Sequence, residues 1–348
     1  MISVILAGGK GLRLWPESRK CRPKQLCKFV DNKSMLDHTI DRLIMAGSSR
    51  LIIVTNDDLL KSTEELINAR PDADIIEVLS EPEAKNTASA VGLILSRFIN
   101  HETDEVLGVF PADHHILDTK SFNESIYRAS LAARRGFLAT IGITPNRPET
   151  GYGYIEKTKW EVGAIENVFE VNTFCEKPDL STAQSYLDTG VHMWNAGIYV
   201  GKADTLIEEF QQYLPDIYEK MLLGYEGYRN SYHSLPDISL DYGIAEKSKR
   251  MAVVTADFGW CDLGSWNALA DLYQQDDQKN VVTGNDILVL DSTNCVVKQS
   301  NKTVVLFGVE DLLVVETDDI VFISERDRSQ DVRNLIDVLN QKQRYDLL

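Results

Sequence analysis

Seven basic residues crowd a glycine-rich stretch near the start of a chain that is otherwise acidic. Leu6-Ala7 leads into Gly8-Gly9-Lys10-Gly11-Leu12-Arg13-Leu14-Trp15-Pro16. Arg19, Lys20, Arg22-Pro23-Lys24-Gln25 and Lys28 follow, and only Glu17 opposes them before Asp31. The formal net charge over 348 residues is −17, so this cluster runs against the average. Glycines directly after an apolar run let backbone N–H groups approach phosphate oxygens closely. Arginine and lysine beside such a turn suit a polyanion such as a nucleoside triphosphate. The plainer alternative is a tight turn with a basic surface. Two familiar phosphate loops do not fit: no Gly-Lys-Ser/Thr closes a Walker A pattern, and G-x-G-x-x-G fails because position 14 is leucine.

Carboxylates come next. Val109-Phe110-Pro111-Ala112-Asp113-His114 sets Asp113 just past an apolar run. Mg²⁺ prefers oxygen ligands and bridges phosphates, which makes Asp113 a candidate ligand; a turn-forming aspartate after Pro111 reads equally well. Asp262, in Gly259-Trp260-Cys261-Asp262-Leu263-Gly264-Ser265-Trp266, is a second such carboxylate, the N-cap of the following helix, or both at once. Three compact motifs have the residue types that bind sugars, namely carboxylates and amides for hydroxyls with an aromatic face nearby. They are Gly151-Tyr152-Gly153-Tyr154, Phe174-Cys175-Glu176-Lys177-Pro178 and Trp194-Asn195-Ala196-Gly197. Lys177 suits a monophosphate. Taken singly, each is as readily a solvated or tryptophan-packed turn. In Ser80-Glu81-Pro82-Glu83-Ala84-Lys85-Asn86-Thr87-Ala88, the plain reading is a helix start capped by Asn86 or Thr87.

Positioning these groups requires elements that the apolar pattern supplies. Short continuous apolar runs at 2–7, 51–55, 75–79, 106–110 and 137–143 read as buried strands. They alternate with helical spacing at 36–45, 59–69, 88–99 and 122–134, which predicts a mostly parallel α/β sheet covered on both faces. Ligands of such sheets sit beyond the carboxyl ends of the strands, where the glycine-rich turn and Asp113 fall. Between 151 and 259 the alternation loosens: strands are expected at 152–155, 172–176 and 193–200, and helices at 205–213 and 240–249. Beyond 280, short extended runs follow one another, as either coils of a β-solenoid or an antiparallel meander, and 331–343 reads as an amphipathic closing helix. The length predicts a large domain and a smaller one. An apolar fraction of 43% and a charged fraction of 26% are ordinary for a soluble globular protein. The acidic balance argues against nucleic-acid binding through phosphates. Five cysteines without C-x-x-C spacing argue against a disulfide framework or a zinc site and for reduced thiols in a cytoplasm. No run approaches the ~20 apolar residues of a membrane helix, and the N-terminal run is too short for a signal peptide.

The segment from Gly8 to Pro16 followed by Pro23-Lys24-Gln25 resembles the signature of sugar-1-phosphate nucleotidyltransferases. Its Leu-Trp-Pro and Pro-Lys-Gln elements are similar to the mannose-1-phosphate guanylyltransferase branch. Leu12 departs from the small hydroxyl residue of many members; Cys175 and Ala196 replace the commoner Val and Ser. The resemblance spans 1–272 strongly. It continues weakly to the end, where Gly308-Val309-Glu310-Asp311-Leu312 and Thr317-Asp318-Asp319 are similar to the guanylyltransferase tail. It implies a Rossmann-like sheet of the nucleotide-diphospho-sugar transferase type over a catalytic domain at 1–275, with a small β-rich domain at 280–348 ending in a helix. It implies Mg²⁺ on Asp113 and Asp262, and charge neutralisation by Arg13 and Lys24. The nucleotide falls to Ala7, Gly8, Gly9, Gly11, Arg13, Lys24, Glu81, Asn86 and Thr87. The sugar phosphate falls to Gly153, Glu176, Lys177, Asn195 and Asp241. The expected substrates are GTP and mannose 1-phosphate, with GDP-mannose and pyrophosphate as products. Rival expectations are another nucleotide or a hexose or heptose 1-phosphate, or a non-catalytic nucleotide-sugar sensor. A homodimer is expected, and the chain length leaves no room for the isomerase domain of longer relatives, so a single function is expected.

Overall fold

The computed structural model describes residues 1–9, 11–99 and 103–348; Lys10 of the basic cluster lies outside the described residues. The chain divides into two compact units built from separated segments. The first comprises Met1–Gly8, Thr39–Ala112 and Ile116–Trp260; the second comprises Gly9–His38, Asp113–His115 and Cys261–Leu348.

In the first unit, nine strands among the described residues form one sheet. They are β1 (Ile2–Leu6), β2 (Arg50–Asn56), β3 (Ile76–Glu81), β4 (Val106–Pro111), β5 (Leu138–Ile143), β6 (Tyr154–Glu161), β7 (Val168–Cys175), β8 (His192–Lys202) and β9 (Met251–Ala256). Their order is β3-β2-β1-β4-β8-β5-β9-β7-β6. The first four pair in parallel, with Leu6 level with Val54 and Pro111, and Asn56 level with Glu81. Their carboxyl ends therefore share one edge. Val4, Ile5, Ile52 and Ile53 are fully buried, as strands covered on both faces must be. The helix Asn86–Leu95 is buried along Ala88–Leu95, which fits a segment apolar on all sides.

Beyond β4 the sheet becomes mixed. β8 lies antiparallel to both β4 and β5, and β6 and β7 pair antiparallel across residues 162–167. A connection that short cannot make the crossover a parallel pair needs. The helix expected over 240–249 is instead a π-helical turn, Asp241–Ala245. Such turns commonly re-aim a side chain at a functional position.

In the second unit, β10 (Val281–Thr283), β12 (Val296–Lys298) and β14 (Leu312–Glu316) stack in parallel, and β11 (Ile287–Leu290) stacks in parallel on β13 (Val304–Phe307). Val281 aligns with Val296 and then Leu313, and Ile287 with Val304. The chain thus returns to register once per coil. Of the two alternatives, stacked solenoid coils are what forms, with β15 (Val321–Glu325) closing antiparallel on β14. Cys295, Val297, Leu306 and Val314 fill the coil interior. The closing helix, Val332–Gln341, buries Val332, Ile336 and Leu339. Among the described residues no helix is long and apolar enough to cross a membrane.

Candidate active site

The second unit carries the glycine-rich turn. Gly11 has φ 53°, and a Cβ there would come within 2.5 Å of the Lys24 Cβ and 2.8 Å of its backbone N, so only glycine lets the turn Leu12–Leu14 lie against Lys24. Gln25 ties the turn down by donating to the Gly9 carbonyl at 3.1 Å. Lys24 opens the short helical turn Lys24–Leu26 and is 6% exposed. Its ammonium lies 2.8 Å from Asp113 Oδ2 and also donates to the Asp262 carbonyl. A buried ammonium needs such partners. Burial opposes the Asp113 charge, but Lys24 and His114 outweigh it and hold the carboxyl below the usual carboxylate range.

The capping alternative for Asp262 is not what the structure contains. Ser265 caps the helix Trp266–Ala270 by accepting from the Ala268 N–H at 3.2 Å. Asp262 instead accepts from the Gly264 N–H at 3.1 Å through a turn in which Leu263 has φ 47°. Gly11, Arg13, Lys24, Asp113 and Asp262 line one cavity of about 530 Å³. Three carboxylates line it, Asp113 and Asp262 beside the glycine-rich turn and Asp337 of the closing helix. Among the described residues no group of three His, Cys, Asp or Glu side chains is placed to hold a metal alone. That suits Mg²⁺, which is commonly held by one or two carboxylates with water and substrate phosphates completing its shell. Arg333 and Asp337 of the closing helix line the same cavity. Nothing in the residue pattern signals this, because they belong to the polar side of an ordinary amphipathic helix.

The first unit holds the remaining residues in two groups. Ala7 donates to the Val54 carbonyl at 2.7 Å, and the Thr55 hydroxyl donates to the Ala7 carbonyl at 3.3 Å. Gly8 faces Glu81 at the end of β3: a Cβ on Gly8 would sit 2.5 Å from Glu81 Oε1. Glu81 is 6% exposed and accepts from the Tyr232 hydroxyl at 2.6 Å. Burial pushes its carboxyl up to about 7, and the tyrosine bond offsets only part of that rise. Tyr232 was not legible as a partner, being 151 residues away. Asn86 has φ 64° and accepts from the Thr87 N–H at 3.0 Å, while the Thr87 hydroxyl accepts from the Leu240 N–H at 2.8 Å.

The other group surrounds Asp241. Asn195 Oδ1 accepts from Thr140 Oγ1 at 2.9 Å and from the Gly197 N–H at 3.1 Å. Its Nδ2 donates to Asp241 Oδ1 at 2.9 Å and to the Tyr199 hydroxyl at 3.1 Å. Four protein partners occupy the whole amide, so Asn195 orients Asp241. Tyr199 adds a 2.5 Å bond to the same Asp241 oxygen. Glu176 Oε1 pairs with Lys177, whereas its buried Oε2 has no hydrogen-bond partner among the described residues. Burial and the nearby Asp241 raise the Glu176 pKa, with Lys177 opposing. Gly153 anchors this group, its carbonyl accepting from the Asn195 N–H at 2.8 Å. An oriented aspartate beside a carboxylate with a spare oxygen is an arrangement able to accept from vicinal hydroxyls.

A basic glycine-rich turn whose buried lysine pairs with the Asp113 carboxylate and bonds the Asp262 backbone is the kind of phosphate-facing arrangement a nucleotide-handling α/β enzyme carries. Residues 2–279 match the nucleotidyl transferase family model, and 280–339 match a MannoseP isomerase/GMP-like beta-helix domain. The chain belongs to the nucleotidyl transferase family. The alginate biosynthesis protein AlgA of Pseudomonas aeruginosa is 37% identical over 99% of this chain and 73% of its own length. The mannose-1-phosphate guanylyltransferase of Klebsiella pneumoniae is 35% identical over 99% and 75% respectively. The solved structure of a Thermus thermophilus protein described as mannose-1-phosphate geranyltransferase superposes with a TM-score of 0.89. It is 33% identical, covering 97% of this chain and 99% of that one.

Proposed function

We propose that this protein transfers the GMP moiety of GTP to the phosphate of mannose 1-phosphate, releasing pyrophosphate. The observation that carries this reading is the cavity shared by Arg13, Lys24, Asp113 and Asp262. One oxygen of the sugar phosphate bonds to the α-phosphorus of GTP, the bond from that phosphorus to the β-phosphate oxygen breaks, and its electron pair leaves with pyrophosphate. A phosphate monoester is largely dianionic at neutral pH, with its second pKa near ~6, so no strong base is required. Positioning and charge neutralisation dominate instead.

In this reading Arg13 and Lys24 neutralise the triphosphate, and the backbone of Ala7, Gly8, Gly9 and Gly11 cradles it. Glu81 reads guanine by accepting from N1–H and the exocyclic amine, next to Asn86 and Thr87. Glu176 and Asp241 take the sugar hydroxyls, Asn195 keeps Asp241 aimed, Gly153 contributes backbone, and Lys177 meets the sugar phosphate. Asp113 and Asp262 would hold Mg²⁺. When bound, that ion supplies charge neutralisation and alignment of phosphate oxygens. Residues 1–275 serve as the catalytic domain and 280–348 as the β-rich one.

The five free cysteines support a cytoplasmic setting. A homodimer is supported by the outward face of β11 and β13, where Leu288, Leu290, Val305 and Phe307 are exposed in aligned pairs; sedimentation at several concentrations checks it, and a strict monomer removes it. The decisive assay offers GTP, UTP, dTTP and ATP in parallel with mannose 1-phosphate or glucose 1-phosphate and identifies products by mass spectrometry. GDP-mannose as the preferred product is expected; preference for another pair reassigns the substrates.

A further inference from the structure

The closing helix reaches the glycine-rich turn through an apolar seam. Val332, Ile336 and Leu339 are buried with Trp15 and Leu348, and Leu12 packs against this cluster. The Trp15 indole N–H donates to the Leu347 carbonyl at 2.7 Å, and the Trp266 indole N–H donates to the Trp15 carbonyl at 3.1 Å. The seam gives Leu12 a physical role: a small hydroxyl residue there would forfeit apolar contact with the helix. Helix and turn are thus fixed to one another, and what the helix presents to the cavity is held with them.

Arg333 and Asp337 are four residues apart on that helix, hence on one side of it, and both line the cavity with Arg13, Lys24, Asp113 and Asp262. The basic groups of the cavity differ in their commitments. Lys24 is buried and paired with Asp113. Arg333 is exposed and forms no ion pair among the described residues. A guanidinium without a carboxylate partner, lining a cavity of about 530 Å³, has its donor fork available for a bidentate phosphate contact. Buried Lys24 suits the reacting end of the triphosphate. The terminal phosphates, which must depart, belong beside the solvent-exposed Arg333.

We propose that Arg333 binds the β- and γ-phosphates of the incoming nucleotide and the pyrophosphate that leaves, so that the C-terminal helix contributes a ligand contact to the cavity. This rests on the guanylyl-transfer reading for its place in the reaction, but not for its test. Inorganic pyrophosphate is titrated calorimetrically into the full-length protein and into Arg333→Ala, Arg333→Gln and Arg333→Lys, with GMP as the control ligand and thermal melts checking the fold. Loss of a charge-assisted contact is expected to weaken pyrophosphate binding about 10-fold or more in the Ala and Gln variants, with partial recovery in the Lys variant. GMP binding stays unchanged. In turnover assays the same variants raise KM for GTP in synthesis and for pyrophosphate in the reverse direction, more than they lower kcat. Pyrophosphate affinity within twofold of wild type in a folded Ala or Gln variant overturns the proposal, as does equal weakening of GMP. If the wild-type protein makes no nucleotide sugar from any substrate pair, the functional reading falls while the pyrophosphate titration still decides this one.

Discussion

The two units hold their acids in opposite settings. In the second, Asp113 meets the Lys24 ammonium at 2.8 Å and stays ionised below the usual carboxylate range. In the first, Glu81 is buried against a tyrosine hydroxyl with no cation in its hydrogen-bond set among the described residues, and its carboxyl rises to about 7. Both are carboxylates at the end of a sheet strand or just past it, yet their environments separate them by function. An acid that is to face a cation and phosphates must keep its charge at all working pH values. An acid that is to read a base by accepting from N–H groups can begin partly protonated and be driven to its charged form by the ligand.

Breaking the charged side of this comparison has the largest expected effect. Lys24→Ala leaves Asp113 without its counter-charge and removes a phosphate contact; a fall in turnover of about 10²–10³-fold is expected, by analogy with other contacts to developing charge. Circular dichroism and a thermal melt check that the loss is not unfolding. Wild-type turnover in a folded Lys24→Ala protein removes the site assignment.

The Glu81 side is tested by pH. The carboxyl must be ionised to accept from guanine and is protonated below about 7. KM for GTP is therefore expected to rise about tenfold per pH unit below that point and to level off above it. Glu81→Gln abolishes the slope and raises KM at pH 8. Stability runs the other way. A glutamate whose folded pKa is raised contributes stability that is present below its unfolded value of ~4.5 and lost as pH rises through about 7. Glu81→Gln is thus expected to melt higher than wild type above pH 7, by on the order of 3 kcal/mol at most, with the difference vanishing toward pH 4. Identical melting across that window breaks the account of Glu81 as a buried, cation-free acid.

Within the first unit, Glu176→Gln keeps the shape but weakens the acceptor oxygens and loosens Lys177. It is expected to raise KM for mannose 1-phosphate about tenfold while leaving KM for GTP near its wild-type value. Equal changes in both constants would separate Glu176 from the sugar.

The parallel half of the sheet was legible because strands buried on both faces write continuous apolar runs, as in Ile2–Leu6 and Arg50–Asn56. The mixed half was less so. Antiparallel entry of β8 depends on connection lengths, not on its own residues, and a helix pattern over 240–249 gave way to a π-helical turn that sets Asp241 against Asn195. The glycine-rich turn was legible from composition alone. Its supports were not: Tyr232 under Glu81, Tyr199 and Thr140 around Asn195, and Arg333 lining the cavity are ordinary residues made significant by long-range packing. Asn195 shows how far residue type can mislead. An exposed amide would be a natural sugar ligand, whereas this one already has four protein partners, the arrangement of a residue that aims a neighbour.

The smallest effect sharpens the one alternative that the sequence left open at Asp262. Because Ser265 caps the helix Trp266–Ala270, the two residues should divide stability and activity between them. Ser265→Ala removes the bond to the Ala268 N–H and is expected to cost about 1 kcal/mol of stability, the usual loss for a cap, while turnover changes little. Asp262→Asn retains an acceptor for the Gly264 N–H, so it is expected to melt like wild type. Its loss of charge in the cavity lowers turnover and raises the Mg²⁺ concentration needed for half-maximal rate. Urea denaturation and a metal titration of both variants measure the two axes. If Asp262→Asn instead keeps wild-type turnover and metal dependence, the Asp262 charge plays no part in the cavity and Asp113 carries the metal assignment without it.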